Sequence, residues 1–186
     1  RRKGGMHYTS IENIHKVIDP LFLDGLKEEF EKIKEIQTIK SREKKLKDFQ
    51  EKLSKLKFLD PACGSGNFLT ETYISLRRLE NETIKLLIEC QKGTVGGQII
   101  LGSVNPIKVS IGQFYGIEIN DFAVTVAKTA LWIAESQMMR ETEDIVHMSL
   151  DFLPLKSYAN IIEGNALRID WESVISKNEL NYIMGN

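Results

Sequence analysis

Four polar side chains occupy one kind of place in this chain: each follows a short run of β-formers and opens onto a turn. Asp60 follows Lys57–Leu59, Glu118 follows the run from Gln113, Asn165 comes after Asn160–Gly164, and Asn186 after Tyr182–Gly185. Open α/β sheets bind ligands at the carboxyl ends of their strands, where a carboxylate can accept both hydroxyls of a ribose. An asparagine amide there can pair with the amino edge of an adenine, and Ala166 beside Asn165 leaves room for the ring. Each residue also has an ordinary reading. Glu118 could be a surface acid, although it lies between Ile117 and Ile119 in a strand otherwise bound for burial. Asn165 and Asn186 could be turn asparagines, the commoner use of that residue.

The segment that must position Asp60 is the most specific in the chain, Leu59–Leu69, reading LDPACGSGNFL. An apolar run meets an acid, a proline and a small-residue loop, and a helical pattern follows. That order suits a strand that stops, turns and starts a helix whose N–H groups face a ligand. Gly64 and Gly66 allow close approach of the backbone because neither carries a Cβ. Two glycines alone would signify only a turn. A dinucleotide site needs a third glycine where Leu69 stands, and a nucleoside triphosphate site needs a Gly-Lys-Ser/Thr run that is missing here.

The flanking elements read as follows. Ser10 can cap a helix reaching Val17. From Leu23 to Lys57 apolar residues recur every three or four positions among dense Lys and Glu, which predicts two amphipathic helices with a break near Thr38–Ser41. Interleaved acids make this a solvated helical face rather than a basic nucleic-acid arm. Lys57–Asp60 is the first strand, and a helix runs from Asn67 to Glu89. Lys92–Ser110 is an irregular excursion with one or two short strands. Gln113–Asn120 is the second strand, and Asp121 caps a helix from Phe122 to Met139, with Val124, Ala127, Leu131 and Ala134 along one face. Arg140–Ala159 is polar and irregular. Asn160–Glu163 and Leu180–Gly185 are further strands. Strands and helices in alternation imply a parallel, helix-covered sheet, an α/β fold with an N-terminal helical segment.

The 186 residues suffice for one domain with a real core. A net charge of −1 gives no global field for nucleic acid. Two cysteines make neither a disulfide framework nor a zinc site, so no metal is expected and a reducing, cytoplasmic setting is. No apolar run approaches the length of a membrane span, so no membrane partner is expected. The chain opens on Arg1 rather than methionine and closes directly after an apolar run. A longer parent protein is therefore expected.

Taken together these segments resemble the γ-type adenine-N6 DNA methyltransferases. DPACGSGNFL resembles their motif I, QFYGIEIN motif II, EGNAL motif III, and YIMGN the start of motif IV; GMHYTS, Gly5–Ser10, resembles motif X. The order X, I, II, III, IV spans Gly5–Asn186. The long gap between motifs I and II, with VTVAKTALWIAESQM at Val124–Met138, looks most like the fused type IIG and IIL restriction–modification methyltransferases.

The resemblance implies a Rossmann-like S-adenosylmethionine-dependent methyltransferase fold with a partial sheet. It implies residues 1–55 as an N-terminal helical segment bearing motif X, and 56–186 as the S-adenosyl-L-methionine-binding domain, cut at motif IV. His7, Tyr8 and Thr9 would line the methionine end of the cofactor. Asp60 would hold its amino group, and the backbone of Ala62, Cys63, Gly64 and Gly66 would cradle its middle. Glu118 would take the ribose hydroxyls, Ile119 would lie against the adenine, and Asn165 and Ala166 would meet its edge. Motif III more often offers an aspartate than Asn165. Asn186 would be the catalytic asparagine. Cys63 reads as a small loop-packing thiol, not a nucleophile. The implied reaction is methyl transfer to adenine N6 in double-stranded DNA, held by segments mostly outside this chain, which alone would be inactive. Transfer to cytosine N4 or a protein glutamine, or a non-catalytic cofactor-binding module of a restriction assembly, are the alternatives.

Overall fold

The computed structural model describes residues 9–92, 105–147, 149–150 and 160–186. The first element is α1 (Ile11–Ile18), whose cap Ser10 accepts a hydrogen bond from the Asn13 N–H. Pro20 lacks the N–H that would continue the α-helical ladder, and the chain widens into a π-helical turn, Asp19–Leu23, closed by the Asp24 N–H on the Asp19 carbonyl. Then come α2 (Asp24–Lys34) and α3 (Ile39–Lys55), separated at 35–38, a few residues before the expected break near Thr38–Ser41. The strand β1 (Phe58–Asp60) leads through the glycine loop into α4 (Asn67–Lys92). After it come β2 (Phe114–Glu118), α5 (Asp121–Val146), β3 (Asn160–Glu163) and β4 (Tyr182–Ile183). Among the described residues no helix is long and apolar enough to cross a membrane.

All neighbouring strands are parallel, in the order β3-β2-β1-β4. The chain therefore builds outward from β1 through β2 to β3 and then returns to the other side of β1 with β4. That reversal is a topological switch point, where the connections leave opposite ways and open a crevice above the strand ends.

The register sets the two faces. Phe58 pairs with Phe114 and with Tyr182, and their rings stack at 5.3 and 5.4 Å, with Phe22 leaning on Phe58 at 5.0 Å. Such ring pairs contribute about 0.5–1.5 kcal/mol each beyond their buried area. This face belongs to one continuous core that also takes in α1 to α5, so the N-terminal helices and the sheet share their apolar interior. Leu59 and Ile117 point to the opposite face, against Ile175, Ile169 and Trp171.

Several boundaries differ from the sequence reading. Asn120, not Asp121, caps α5, its side chain accepting the Ala123 N–H. α5 runs to Val146 instead of stopping at Met139, and ends where His147 enters the left-handed region. Its buried face continues Leu131, Ala134, Met138 and then Thr142, so the apolar period stops while the helix does not. Only Tyr182 and Ile183 of the expected Leu180–Gly185 strand pair in the sheet. Most of the Lys92–Ser110 excursion lies outside the described residues; its final part, 105–110, is irregular.

Candidate functional site

Asp60 is the last residue of β1 and is 2% exposed. The short strand fixes its carboxylate at the switch point, and the proline after it turns the chain away. Its Oδ1 accepts the Ala62 N–H at 3.0 Å. The end of β4 passes directly over it: a Cβ on Gly185 would stand 2.7 Å from Asp60 Oδ1. Burial pushes the Asp60 carboxyl up to about 6, the Ala62 N–H pulls it down, and the charge of Glu118 pushes it further up. Among the described residues this buried acid has one neutral hydrogen-bond partner and no cation beside it.

The glycine loop connects Asp60 to Glu118. Glu118 Oε2 accepts the Gly64 N–H at 2.9 Å, and Oε1 accepts the Asn120 N–H at 2.9 Å. A carboxylate has about four acceptor positions, so two hydroxyls could still be taken. Gly64 adopts φ +53°, and a Cβ there would meet nothing within 4 Å. The loop is open at that point.

Gly66 answers a different need. At φ +80° its missing Cβ makes room for α5, since a Cβ would lie 2.9 Å from that of Ala127. The glycine lets α5 press on the loop from below. Cys63 turns inward. Its N–H donates to the Ile117 carbonyl at 3.0 Å, its carbonyl accepts the Gly66 N–H at 2.8 Å, and its sulfur would be 2.8 Å from a Cβ on Gly116. Burial pushes the Cys63 thiol up to about 12, with Asp60 and Glu118 adding to the effect. This is an inert packing group.

Beyond β2 and β3 the exposed apolar side chains are Ile119 at 67%, Phe122 at 65% and Leu167 at 94%. Phe122 and Leu167 were not singled out in the sequence, although Phe122 opens α5 off its buried stripe. Asn165 Oδ1 accepts the Leu167 N–H at 3.0 Å in a local turn, and the Ala166 carbonyl accepts the indole N–H of Trp171 at 2.8 Å.

An open cleft of about 630 Å³ lies at the switch point. Its floor is Asp60, Pro61 and Ala62, one wall is Ile183, Met184, Gly185 and Asn186, and the other is Val17, Pro20 and Leu21 from α1 and the π turn. The exposed Asn186 side chain donates to the Thr9 hydroxyl at 3.4 Å, bringing the first described residue and the last together. Thus Thr9, Asp60, Ala62 and Asn186 gather at the cleft, while Glu118 joins them through Gly64. Asn165 and Ala166 stand two strands away at the β3 end, and His7 and Tyr8 lie outside the described residues.

Comparison with known proteins agrees with this topology. The chain is 45% identical over 185 residues to DNA methyltransferase A of Bacillus subtilis (strain 168), covering 98% of this chain and 19% of that protein. It superposes on the structure of the type IIL restriction-modification enzyme MmeI in complex with DNA with a TM-score of 0.84 and 43% identity, covering 97% of this chain and 22% of that one. The chain thus spans about a fifth of the length of each. The fold is Rossmann-like, with a partial sheet and an N-terminal helical segment. The family model of the MmeI DNA-methyltransferase domain matches residues 36–186, and the chain belongs to that family.

Proposed function

We propose that this chain is the methyl-donor-binding part of a DNA methyltransferase that moves a methyl group from S-adenosyl-L-methionine to adenine N6 in double-stranded DNA. Its setting is a restriction–modification enzyme working in the reducing cytoplasm. The observation that carries the reading is the pairing at the switch point: the buried, underpartnered Asp60 and the exposed amide of Asn186 border one cleft from adjacent parallel strands.

The residues present suit the donor. Asp60 needs a cation, and the donor has an ammonium group. Glu118 keeps acceptor positions for ribose hydroxyls beside a loop that is open at Gly64. Ile119 offers exposed apolar surface to an adenine, and Asn165 with Ala166 an edge contact. The backbone from Ala62 to Gly66 would cradle the middle of the ligand, and His7, Tyr8 and Thr9 would line its methionine end. Residues 1–55 would be the N-terminal helical segment with motif X, and residues 56–186 the donor-binding domain. When bound, the donor supplies a methyl group already activated on a sulfonium.

The chain's own part in the chemistry falls to Asn186. The exocyclic amine of adenine is a poor nucleophile because its lone pair is delocalised into the ring. The side-chain carbonyl of Asn186 would accept an amine hydrogen and favour the pyramidal, nucleophilic form; alignment carries much of the remaining rate. The adenine must first be flipped from the duplex. The matched MmeI structure contains DNA, which supports the choice of substrate.

In the full-length protein, Asn186→Ala should lower the methylation rate by roughly 10²–10³-fold, the loss typical of one transition-state hydrogen bond. Donor affinity by calorimetry should stay within a few fold. Modified bases identified on genomic DNA decide the substrate, and a product at cytosine N4 would replace the adenine assignment. Undiminished modification by Asn186→Ala would remove the catalytic role.

A further inference from the structure

One wall of the cleft is fastened by an ion-paired imidazole as well as by apolar packing. α1 and the π turn give Val17, Pro20 and Leu21 to the cleft, while Ile14, Ile18 and Phe22 are buried in the core. His15 sits between these faces. Its Nδ1 is 2.7 Å from Asp19 Oδ1, and its Nε2 is 2.9 Å from Glu71 Oε1. A carboxylate only accepts, and a neutral imidazole has a single N–H. Two bonds of this kind to ionised carboxylates form together only when both ring nitrogens donate, so this geometry is the one the imidazolium makes.

The two partners come from different places. Asp19 opens the π turn, one turn along from His15. Glu71 lies near the start of α4, the helix that emerges from the glycine loop, and is only 8% exposed. The clamp therefore joins the wall of the cleft to the helix that starts at its floor. Thr9, which accepts from Asn186, is one residue before the Ser10 cap of α1.

We propose that His15 is a positioning residue for methyl-donor capture: held between Asp19 and Glu71, its imidazolium fixes α1 and Thr9 over the cleft, and loss of one proton breaks the two-sided clamp while the apolar anchors of α1 remain. This rests on the cleft being the donor site. Among the described residues the charged groups meeting the ring are Asp19 from the π turn and Glu71 from α4. Both favour the charged ring. The bond to Asp19 raises its pKa most, burial opposes it, and the bond to Glu71 raises it again, so the net value stands above the ordinary 6.5. The clamp is intact below 6.5 and is lost as pH rises through the raised value.

The test is calorimetric binding of S-adenosylmethionine to the full-length protein between pH 6 and 9, alongside the His15→Gln and Glu71→Gln variants. The donor's ammonium titrates alike in all three, so the difference between curves is the readout. The wild type should bind about tenfold more tightly than His15→Gln at the acid end, the loss expected when a charge-assisted bond pair goes, and the two should converge at the alkaline end. In Glu71→Gln the convergence should move to lower pH. Both variants keep Ile14, Ile18 and Phe22 as anchors, so circular dichroism should show both folded. Parallel curves for wild type and His15→Gln would overturn the inference. If the wild type bound no donor at any pH, the reading of the cleft would fall instead. The His15 ring protons followed by NMR would then decide the clamp alone: a midpoint above 6.5 that drops in Glu71→Gln supports it, and an unmoved midpoint removes it.

Discussion

Asp60 and Glu80 are both carboxylates sealed from solvent, and the molecule treats them in opposite ways. Glu80, on α4, is ion-paired to Arg77 and accepts from Gln50 Nε2 at 2.8 Å and from the backbone of Lys108 at 2.7 Å and Val109 at 3.2 Å. Arg77 in turn donates to the Thr142 hydroxyl, which donates to Asn81 Oδ1. Three parts of the chain, α3, α4 and the segment at 108–109, meet on one acid, and α5 joins them through Arg77. Among the described residues, Asp60 has one backbone N–H and a second acid near it. A buried charge that is fully partnered organises structure, because removing one partner strands the others. A buried charge left short of partners costs stability, and cost without structural return marks a ligand's place.

The hardest test of that contrast is to remove each acid. Glu80→Ala would strand Arg77 inside the protein, and breaking a buried pair this way costs about 3–5 kcal/mol. Denaturant unfolding should show the loss as a lower midpoint. Asp60→Asn should leave stability at pH 7.5 unchanged or improved, since it removes an unpaired charge. Its effect should appear in donor affinity, which would fall roughly 10–100-fold, the worth of one hydrogen bond to a charged group. A comparable loss of stability from both substitutions would erase the distinction between the two acids.

Much of the site was legible because it sits on short-range signals. Asp-Pro followed by small residues declares a strand end and a loop, and the β-formers before Glu118 declare the next strand. The buried polar network was hidden because it replaces apolar side chains at core positions. Thr142 takes the slot after Met138 on α5, so the hydrophobic period broke and the helix looked finished. Gln113 is similar: its amide donates to the Leu53 and Leu56 carbonyls, a contact across some sixty residues that no local pattern announces. The reason for Gly66 was likewise non-local, since the atom it avoids belongs to Ala127 on another helix. Gly185 read as one residue of a strand, and its closeness to Asp60 depends on β4 returning to the far side of β1.

The smallest expected effect sharpens the contrast by its sign. The Asp60 carboxyl titrates near 6 in the folded chain against an ordinary 3.8. Between those values the folded state holds the extra proton, so stability falls as pH rises through the window, by something on the order of 3 kcal/mol at full ionisation. Capture of an ammonium ligand runs the other way, because only the ionised acid attracts it. With a midpoint near 6, about a tenth of the acid is ionised at pH 5, so affinity should rise about tenfold from pH 5 to 7. The His15 clamp acts at the other end of the scale, weakening capture above its own raised midpoint, so affinity against pH should be bell-shaped. Asp60→Asn should flatten the acid limb of that bell and remove the matching fall in stability. Flattening only one of the two would mean that stability and capture are governed by different acids.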